Sequence, residues 1–446
     1  MNKNNILFLN FYKFNNDKVS FFNNVEKIIK KKNYSFFFLS TIKIDNAEFK
    51  SKVFNFESIK IKNNFNHFLK KIGITKKIIN DWILVLSIFL KKSKTSIYLI
   101  IISTIIEAIK NIIKIKPVCV IIWTEYFPLV QIYKIICKYF NIPYLIAERG
   151  LLNGTLMIEK NGIYGKSHLT KKNISEVKKK FSNKYIYNYL NFFENSKPLW
   201  EQPINSKNIN LIKSIDKKKI FFAGTNEIWH GFYPYVNKET SPVFKSHLLA
   251  LKYLSKIVKK YNNVELIFKP HPRDRVFPLV AELVPKNVMI VNEDARQLIK
   301  ECDIFITISS SLACDALIMA KPVILLGKFD LSSKNCCYEI KKKGDIDKLI
   351  YLFSNNRLNN NHQYNWNVFF NYLLNYYLFD LTNKNICKKK YKEFSEELLY
   401  FINKKAFNFE ELNQKKIAFC KNVLKSVSLK KDIVNILKVI KYRIFN

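Results

Sequence analysis

The sequence predicts an α/β protein made of two doubly wound parallel sheets in tandem, closed by a helical, basic extension. Two observations carry that prediction. Short β-like apolar runs alternate with longer helical stretches, first over about residues 5–195 and again from "KKIFFAGT" to "KPVILLG", the rhythm of stacked βα units. The length, 446 residues, exceeds what one hydrophobic core usually organises, so more than one domain is expected. The rhythm breaks at "ENSKPLWEQP", which sets the expected domains at 1–197, 198–350 and a helical remainder at 351–446.

In the first half the strands are "ILFLNFY", "SFFFLST", "PVCVIIWTEY" and "IPYLIAERG", with a helix from about Pro128 to Phe140 and a Lys- and Asn-rich helical stretch over roughly 170–195. The most apolar region, Trp82 to Ile106, is cut by Lys91, Lys92 and Lys94 into runs too short to cross a bilayer, and reads as buried helices. In the second half "KKIFFAGT" is followed by a helix through "SPVFKSHLLALKYLSKIVKKY". Then come "NVELIFKPHPR", "NVMIVN", a helix at "DARQLIKEC", "DIFITIS", a helix at "SLACDALIMA" and "KPVILLG". Such sheets hold ligands beyond the carboxyl ends of their strands, and two in tandem are expected to make a cleft that the functional residues line. After about 345 the pattern turns helical and aromatic. It ends in "KKDIVNILKVIKYRIFN", a basic amphipathic stretch that can lie on anionic lipid or pack on the protein with solvated lysines.

Composition bounds the partners. Seventy-five Lys and Arg against 35 Asp and Glu leave a net charge of +40, which suits a polyanion, an anionic membrane or acidic substrates. Part of that charge is background, because Lys, Asn, Ile, Phe and Tyr are abundant throughout, as in products of AT-rich genes. Nucleic acid is the alternative partner, yet only charge speaks for it. The eight cysteines form no CxxC pair and no metal spacing, consistent with core positions in a reducing cytoplasm. The N-terminus "MNKNNILFLNFYKFNNDKVS" has no secretory pattern, so a cytoplasmic location is expected. Neither a metal nor a cofactor is expected: the histidines have no acidic or cysteine partners at ligand spacing, there is no GxGxxG, and "GIYGKS" has Lys160 where a P-loop needs glycine.

Three segments can carry chemistry. In "FKPHPRDR" the histidine lies between two prolines, which restrict the backbone on both sides; an extended chain would aim Lys269, His271 and Arg273 into one small volume suited to an anion. In "DIFITISSSLACDALIMA" Ser309, Ser310 and Ser311 join a strand to a helix, where serines cap the first turn and N–H groups can hold phosphate. The alternative is one plain N-cap with two incidental serines. Asp315 is an acid close to that helix start, favourable to the dipole or available to substrate. In "LIAERGLLNGT" Glu148 ends a strand beside Gly150, where a carboxylate can act as base or nucleophile and a glycine allows close approach; a salt-bridged turn is the alternative. Glu125, at the end of the preceding strand, is a further candidate. Gly224, Thr225 and Asn226 follow the first strand of the second half, a natural place for nucleotide or sugar contacts, while Trp229 and His230 can equally be packing residues.

"ERGLLNGTLMIEKNG", "FKPHPR" and "ITISSSLACDALIMAKPVILLG", in this order and over about residues 118–330, resemble the bacterial capsule polysaccharide biosynthesis family, glycosyltransferases that include the Kdo transferases of capsule assembly. Similar elements occur in bacterial sialyltransferases that use CMP-activated acidic sugars. The resemblance implies a GT-B enzyme of two facing Rossmann-like domains, the acceptor on the first and the CMP-sugar on the second. By that analogy His271 contacts the donor phosphate, Ser309–Ser311 hold phosphate or nucleotide, and Glu148 is the catalytic carboxylate. The sialyltransferase pattern has two adjacent acids before glycine, whereas Glu148 is followed here by Arg149. The expected activity is transfer of an acidic sugar, Kdo or one like sialic acid, from CMP to a surface polysaccharide or its lipid-linked primer, at the inner face of the plasma membrane. A teichoic-acid-type polyol-phosphate transferase using CDP-glycerol is the enzymatic rival.

Overall fold

The computed structural model describes residues 4–10, 16–40, 50–53, 58–60, 65–177, 183–196, 217–359, 361–381, 384–405, 407–425 and 428–430. The basic amphipathic stretch over 431–446 lies outside the described residues. The chain forms two compact units, Met1–Glu148 with Ile158–Lys160 and Phe379–Asn446, and Arg149–Met157 with Asn161–Leu378.

The first unit contributes strands β1 (Asn4–Asn10), β2 (Tyr34–Ser40), β3 (Lys50–Val53), β4 (Ser58–Lys60), β5 (Cys119–Trp123) and nearly all of β6 (Tyr144–Arg149), and β7 (Thr155–Glu159) is divided between the two units. The second contributes β8 (Lys218–Ala223), β9 (Val264–Lys269), β10 (Val288–Ile290), β11 (Ile304–Thr307), β12 (Val323–Leu325) and β13 (Tyr338–Glu339); β14 (Phe379–Asp380) and β15 (Ser428–Lys430) follow. One sheet runs β14-β7-β6-β5-β1-β2-β3, another β10-β9-β8-β11-β12-β13, and β15 pairs with β4. β1, β2, β3, β5 and β6 are parallel neighbours, as are all six strands of the second sheet. Both sheets therefore wind outward, return, and wind outward on the other side, reversing between β1 and β5 and between β8 and β11. These are the two Rossmann-like sheets the βα rhythm predicts.

The strands are parallel because their residues are buried on both faces: all five residues of β5 and all four of β11 are inaccessible. Helices cover them through periodic apolar faces. The helix His247–Val258 buries Ala250, Leu251, Leu254, Ile257 and Val258 against Ile220, Phe222 and Leu266. It starts later than the sequence pattern suggested, because Ser246 caps it through Leu249 N and the preceding "SPVFK" is irregular.

The break at Lys91–Lys94 is real. One helix ends at Leu90 with Lys91 left-handed, and the next, Lys94–Ile115, begins behind Ser93 as N-cap. Among the described residues Lys94–Ile115 is long and apolar enough to cross a membrane, and 67% of its most apolar window is buried inside the protein.

The domain boundary differs from the one placed near 197. The helix Asn183–Asn195 belongs to the second unit, tied there by Arg296, which donates to Phe193 O (2.9 Å) and Ser196 O (2.7 Å) and stacks on the Phe193 ring. The extension expected as one block over 351–446 is also divided: Gln363–Tyr372 stays with the second unit, while Lys384–Lys405 and Phe409–Lys425 join the first. Buried aromatic contacts explain the latter, since Phe394 packs on Phe21, Phe22 and Phe379.

Candidate anion site at the strand ends of the second unit

The site is built at the carboxyl ends of β8, β9 and β11, beside the reversal point of the sheet. β9 ends at Lys269, and its carbonyl accepts Gly224 N (2.9 Å), which brings the loop after β8 against the "PHPR" segment. A Cβ on Gly224 would meet Lys269 O at 3.2 Å and His271 N at 3.3 Å, so this approach depends on a residue with no side chain. Asn226 fastens the same seam: its amide donates to Arg273 O (2.7 Å) and its carbonyl oxygen accepts Trp229 N. Gly224 and Asn226 thus hold the site's frame, a role sequence reasoning had assigned to direct substrate contact.

The backbone does not stay extended through Pro272. Asp274 N donates to His271 O (2.8 Å), closing a turn, and Arg273 N donates to His271 Nδ1 (3.1 Å). That bond fixes the tautomer: Nδ1 is an acceptor, so the ring proton of neutral His271 stands on Nε2. Burial first, then the positive charges of Arg149, Arg273 and Lys269, hold the His271 pKa down to about 3. The extended path on which the expected convergence rested is replaced by a turn, and the imidazole is a neutral N–H donor in a positively charged neighbourhood. Lys269 is itself buried, and desolvation brings its pKa to about 8 against the opposing pull of Asp294 and Glu293.

Thr225 faces inward. Its N–H donates to His247 Nε2 (3.2 Å) and its hydroxyl lies 2.7 Å from the same nitrogen, while His247 Nδ1 sits 3.3 Å from Glu227 Oε1. Glu227 also accepts His247 N (2.7 Å). Burial works to raise the Glu227 pKa, but the hydrogen bonds and charge of His247 outweigh it and the net shift is downward. All three residues are buried, so Thr225 braces the loop.

The serine segment departs from the expected anion cradle. The helix Leu312–Ile318 has seven residues, and Ser311, its N-cap, makes no side-chain cap bond. Ser310 Oγ accepts Leu312 N, Ala313 N donates to Ser310 O, Cys314 N to Ser311 O, and Ser310 N to Thr307 Oγ1. Those N–H groups are already used within the turn, so the helix start offers an anion little. Ser309 instead meets His230, Oγ to Nδ1 at 2.9 Å. Asp315 pairs with Arg296 Nε at 3.3 Å, and burial raises its pKa to about 6 against the pull of that guanidinium.

In the first unit Glu148 is buried at the end of β6. Glu125 is buried and bonded to Lys134, a structural pair. Gly150 is required by packing: a Cβ there would fall on Thr155 Oγ1, which donates to Leu152 O, so no room for substrate follows from it.

One candidate escaped the sequence reading. Glu293, two residues after Val291 beyond β10, is 4% exposed, and neither carboxylate oxygen has a hydrogen-bond partner. A buried carboxylate with no hydrogen bond costs folding free energy, offset here in part by the nearby charge of Lys269. "VNEDARQ" gave only an N-cap signal, which Asp294 satisfies through Arg296 N and Gln297 N. Among the described residues no group of three or more His, Cys, Asp and Glu could hold a metal ion.

No protein-family model matches the chain, and no curated protein matches it. Solved structures similar to it include KpsC of Thermosulfurimonas dismutans, both as beta Kdo 2,4 transferase (14% identity, 66% of this chain and 87% of that one, TM-score 0.39) and as beta Kdo 2,7 transferase (13%, 76% and 84%, 0.37). The S. aureus MnaA-UDP co-structure is similar at 11% identity over 90% of this chain and 97% of that one, with a TM-score of 0.39.

Proposed function

We propose that the protein is a GT-B-type glycosyltransferase that moves an acidic sugar, Kdo or a related one, from a CMP-activated donor to a surface glycan or its lipid-linked primer. The observation that carries the reading is the cluster around His271, where a neutral imidazole with its proton on Nε2 stands among Lys269, Arg273 and Arg149. A CMP leaving group develops its charge on a single phosphate. Fixed cations and one oriented N–H donor are what that charge requires, and they stabilise it without a metal. Glu293 suits the vicinal hydroxyls of the ribose, because a bare carboxylate accepts two O–H donors at once.

Glu148 supplies the carboxylate that takes the acceptor's proton or attacks the sugar. The motif "ERGLLNGT" supports this assignment, and Glu148→Gln tests it through loss of transfer with CMP binding retained. The net charge of +40 draws the enzyme to anionic membrane at the cytoplasmic face, where lipid-linked acceptors lie; binding to anionic vesicles that does not weaken with salt contradicts this.

The deciding experiment incubates purified protein with CMP-Kdo, CMP-sialic acid, UDP-sugars and CDP-glycerol and measures nucleotide release, with and without EDTA. CMP release from a CMP-sugar that survives EDTA supports the proposal. Turnover of CDP-glycerol alone turns it toward polyol-phosphate transfer.

A further inference from the structure

A second histidine sits at the carboxyl ends of β8 and β11 and has no place in the assignment above. His230 lies flat on Tyr164, ring centroids 4.0 Å apart and planes 16° from parallel, and its Nδ1 is 2.9 Å from Ser309 Oγ. Its backbone is fixed as well, with N donating to Asn226 O (3.0 Å) and O accepting Asn237 Nδ2 (2.9 Å). Among the described residues Nε2 makes no hydrogen bond, and the residue is half-buried.

Tyr164 is held in a conformation that tyrosine avoids, with φ of 58°. Its carbonyl accepts Thr170 Oγ1 (2.7 Å) and Ser167 N (3.0 Å), and Gly165 N donates to Thr240 Oγ1 (3.2 Å). Gly165 also has to be glycine, since a Cβ would strike the Glu239 carbonyl. Such strain persists only where surrounding bonds over-determine it, and its product here is one aromatic ring placed behind one imidazole.

We propose that His230 is a second anion-binding imidazole of the donor site, oriented by Ser309 at Nδ1 and by the Tyr164 ring against its face, so that Nε2–H meets an anionic oxygen of the nucleotide-sugar. The inference rests on the functional reading above. At His271 a backbone N–H occupies Nδ1 and leaves the proton on Nε2; in this proposal the Ser309 hydroxyl takes the same donor role toward His230 Nδ1. Burial pushes the His230 pKa well below its ordinary value, which keeps the ring neutral.

Calorimetric titration with CMP, inorganic phosphate and an intact CMP-sugar tests this on His230→Phe, which keeps the stack and loses the donor, and on His230→Gln, which restores an amide donor. His230→Phe is expected to weaken binding about tenfold, the worth of one hydrogen bond to a charged group, with an unchanged thermal midpoint. His230→Gln is expected to recover most of that loss, Ser309→Ala to lose part of it, and Tyr164→Phe to bind like the wild type. A loss seen with CMP and phosphate puts the contact on the phosphate; a loss seen only with the intact CMP-sugar puts it on the sugar carboxylate. His230→Phe that binds all three probes like the wild type overturns the inference. His271→Ala serves as the separate control: if it too binds CMP unchanged, the reading of the whole site fails, whereas a loss there with none at His230 sinks this inference alone.

Discussion

The carboxyl ends of β5 and β6 and the carboxyl ends of β8, β9 and β10 are the same feature of the same kind of sheet, yet their ionisable groups are treated differently. At β5 Glu125 is bonded to Lys134, and after β6 Thr155 fills the space that Gly150 leaves, although Thr124 Oγ1 is buried there without a hydrogen bond among the described residues. At β8 to β10 several are buried in an uncomfortable state. Glu293 is buried without a hydrogen bond among the described residues, Lys269 is buried with its pKa brought down to about 8, and His271 is a neutral donor near cations. A parallel sheet supplies the position for a site; buried ionisable groups with displaced pKa values are the reason for proposing the second sheet's end.

If that contrast is sound, changes at the open groups alter ligand handling, and changes at the closed ones alter stability. His271→Ala carries the largest expected effect, a loss of about 10²–10³ in the rate of CMP release, with little change in melting temperature. Lys134→Met leaves Glu125 buried without its lysine and is expected to destabilise the fold by about 3 kcal/mol in denaturant titration, with CMP binding by the folded protein unchanged.

Gly150→Ala is expected to cost about 1–3 kcal/mol through overpacking against Thr155. Thr155→Ala, which removes the clashing oxygen, recovers part of that in a double-mutant cycle. Glu293→Gln is expected to weaken CMP binding about tenfold without lowering the stability of the free protein, because the charge removed is one that no hydrogen bond compensates.

Lys269 gives the smallest effect but one with two signs. Its folded pKa of about 8 lies below the ordinary 10.5, so from about pH 8 upward the unfolded chain binds more protons than the folded one, and stability from this group rises with pH. Phosphate binding needs the charged form, so CMP affinity falls over the same range. Lys269→Arg removes both trends.

Much of the fold was legible because periodicity records burial directly: "VIIW" and "DIFIT" read as strands buried on both faces, and lysines at 91–94 marked a break between helices. The domain edges were not, because the ties of the helix Asn183–Asn195 to Arg296, and of Phe394 to Phe21, join residues far apart in the chain. In the site, the proline-flanked His271 was visible from its neighbours. Ser309–Ser311 looked like phosphate ligands and Asp315 like an acid at a helix start or a substrate contact, since sequence cannot show that Thr307 engages Ser310, His230 engages Ser309 and Arg296 engages Asp315. Glu293 stayed hidden because its signal is the absence of a partner, which only three-dimensional packing reveals.

The most direct measurement is the rate of CMP release from a CMP-activated acidic sugar by wild-type protein and by His271→Ala at equal folded concentration. The account predicts turnover by the first and a loss of at least about a hundredfold in the second. Equal rates in the two, or release confined to a nucleotide diphosphate donor such as a UDP-sugar, contradict it.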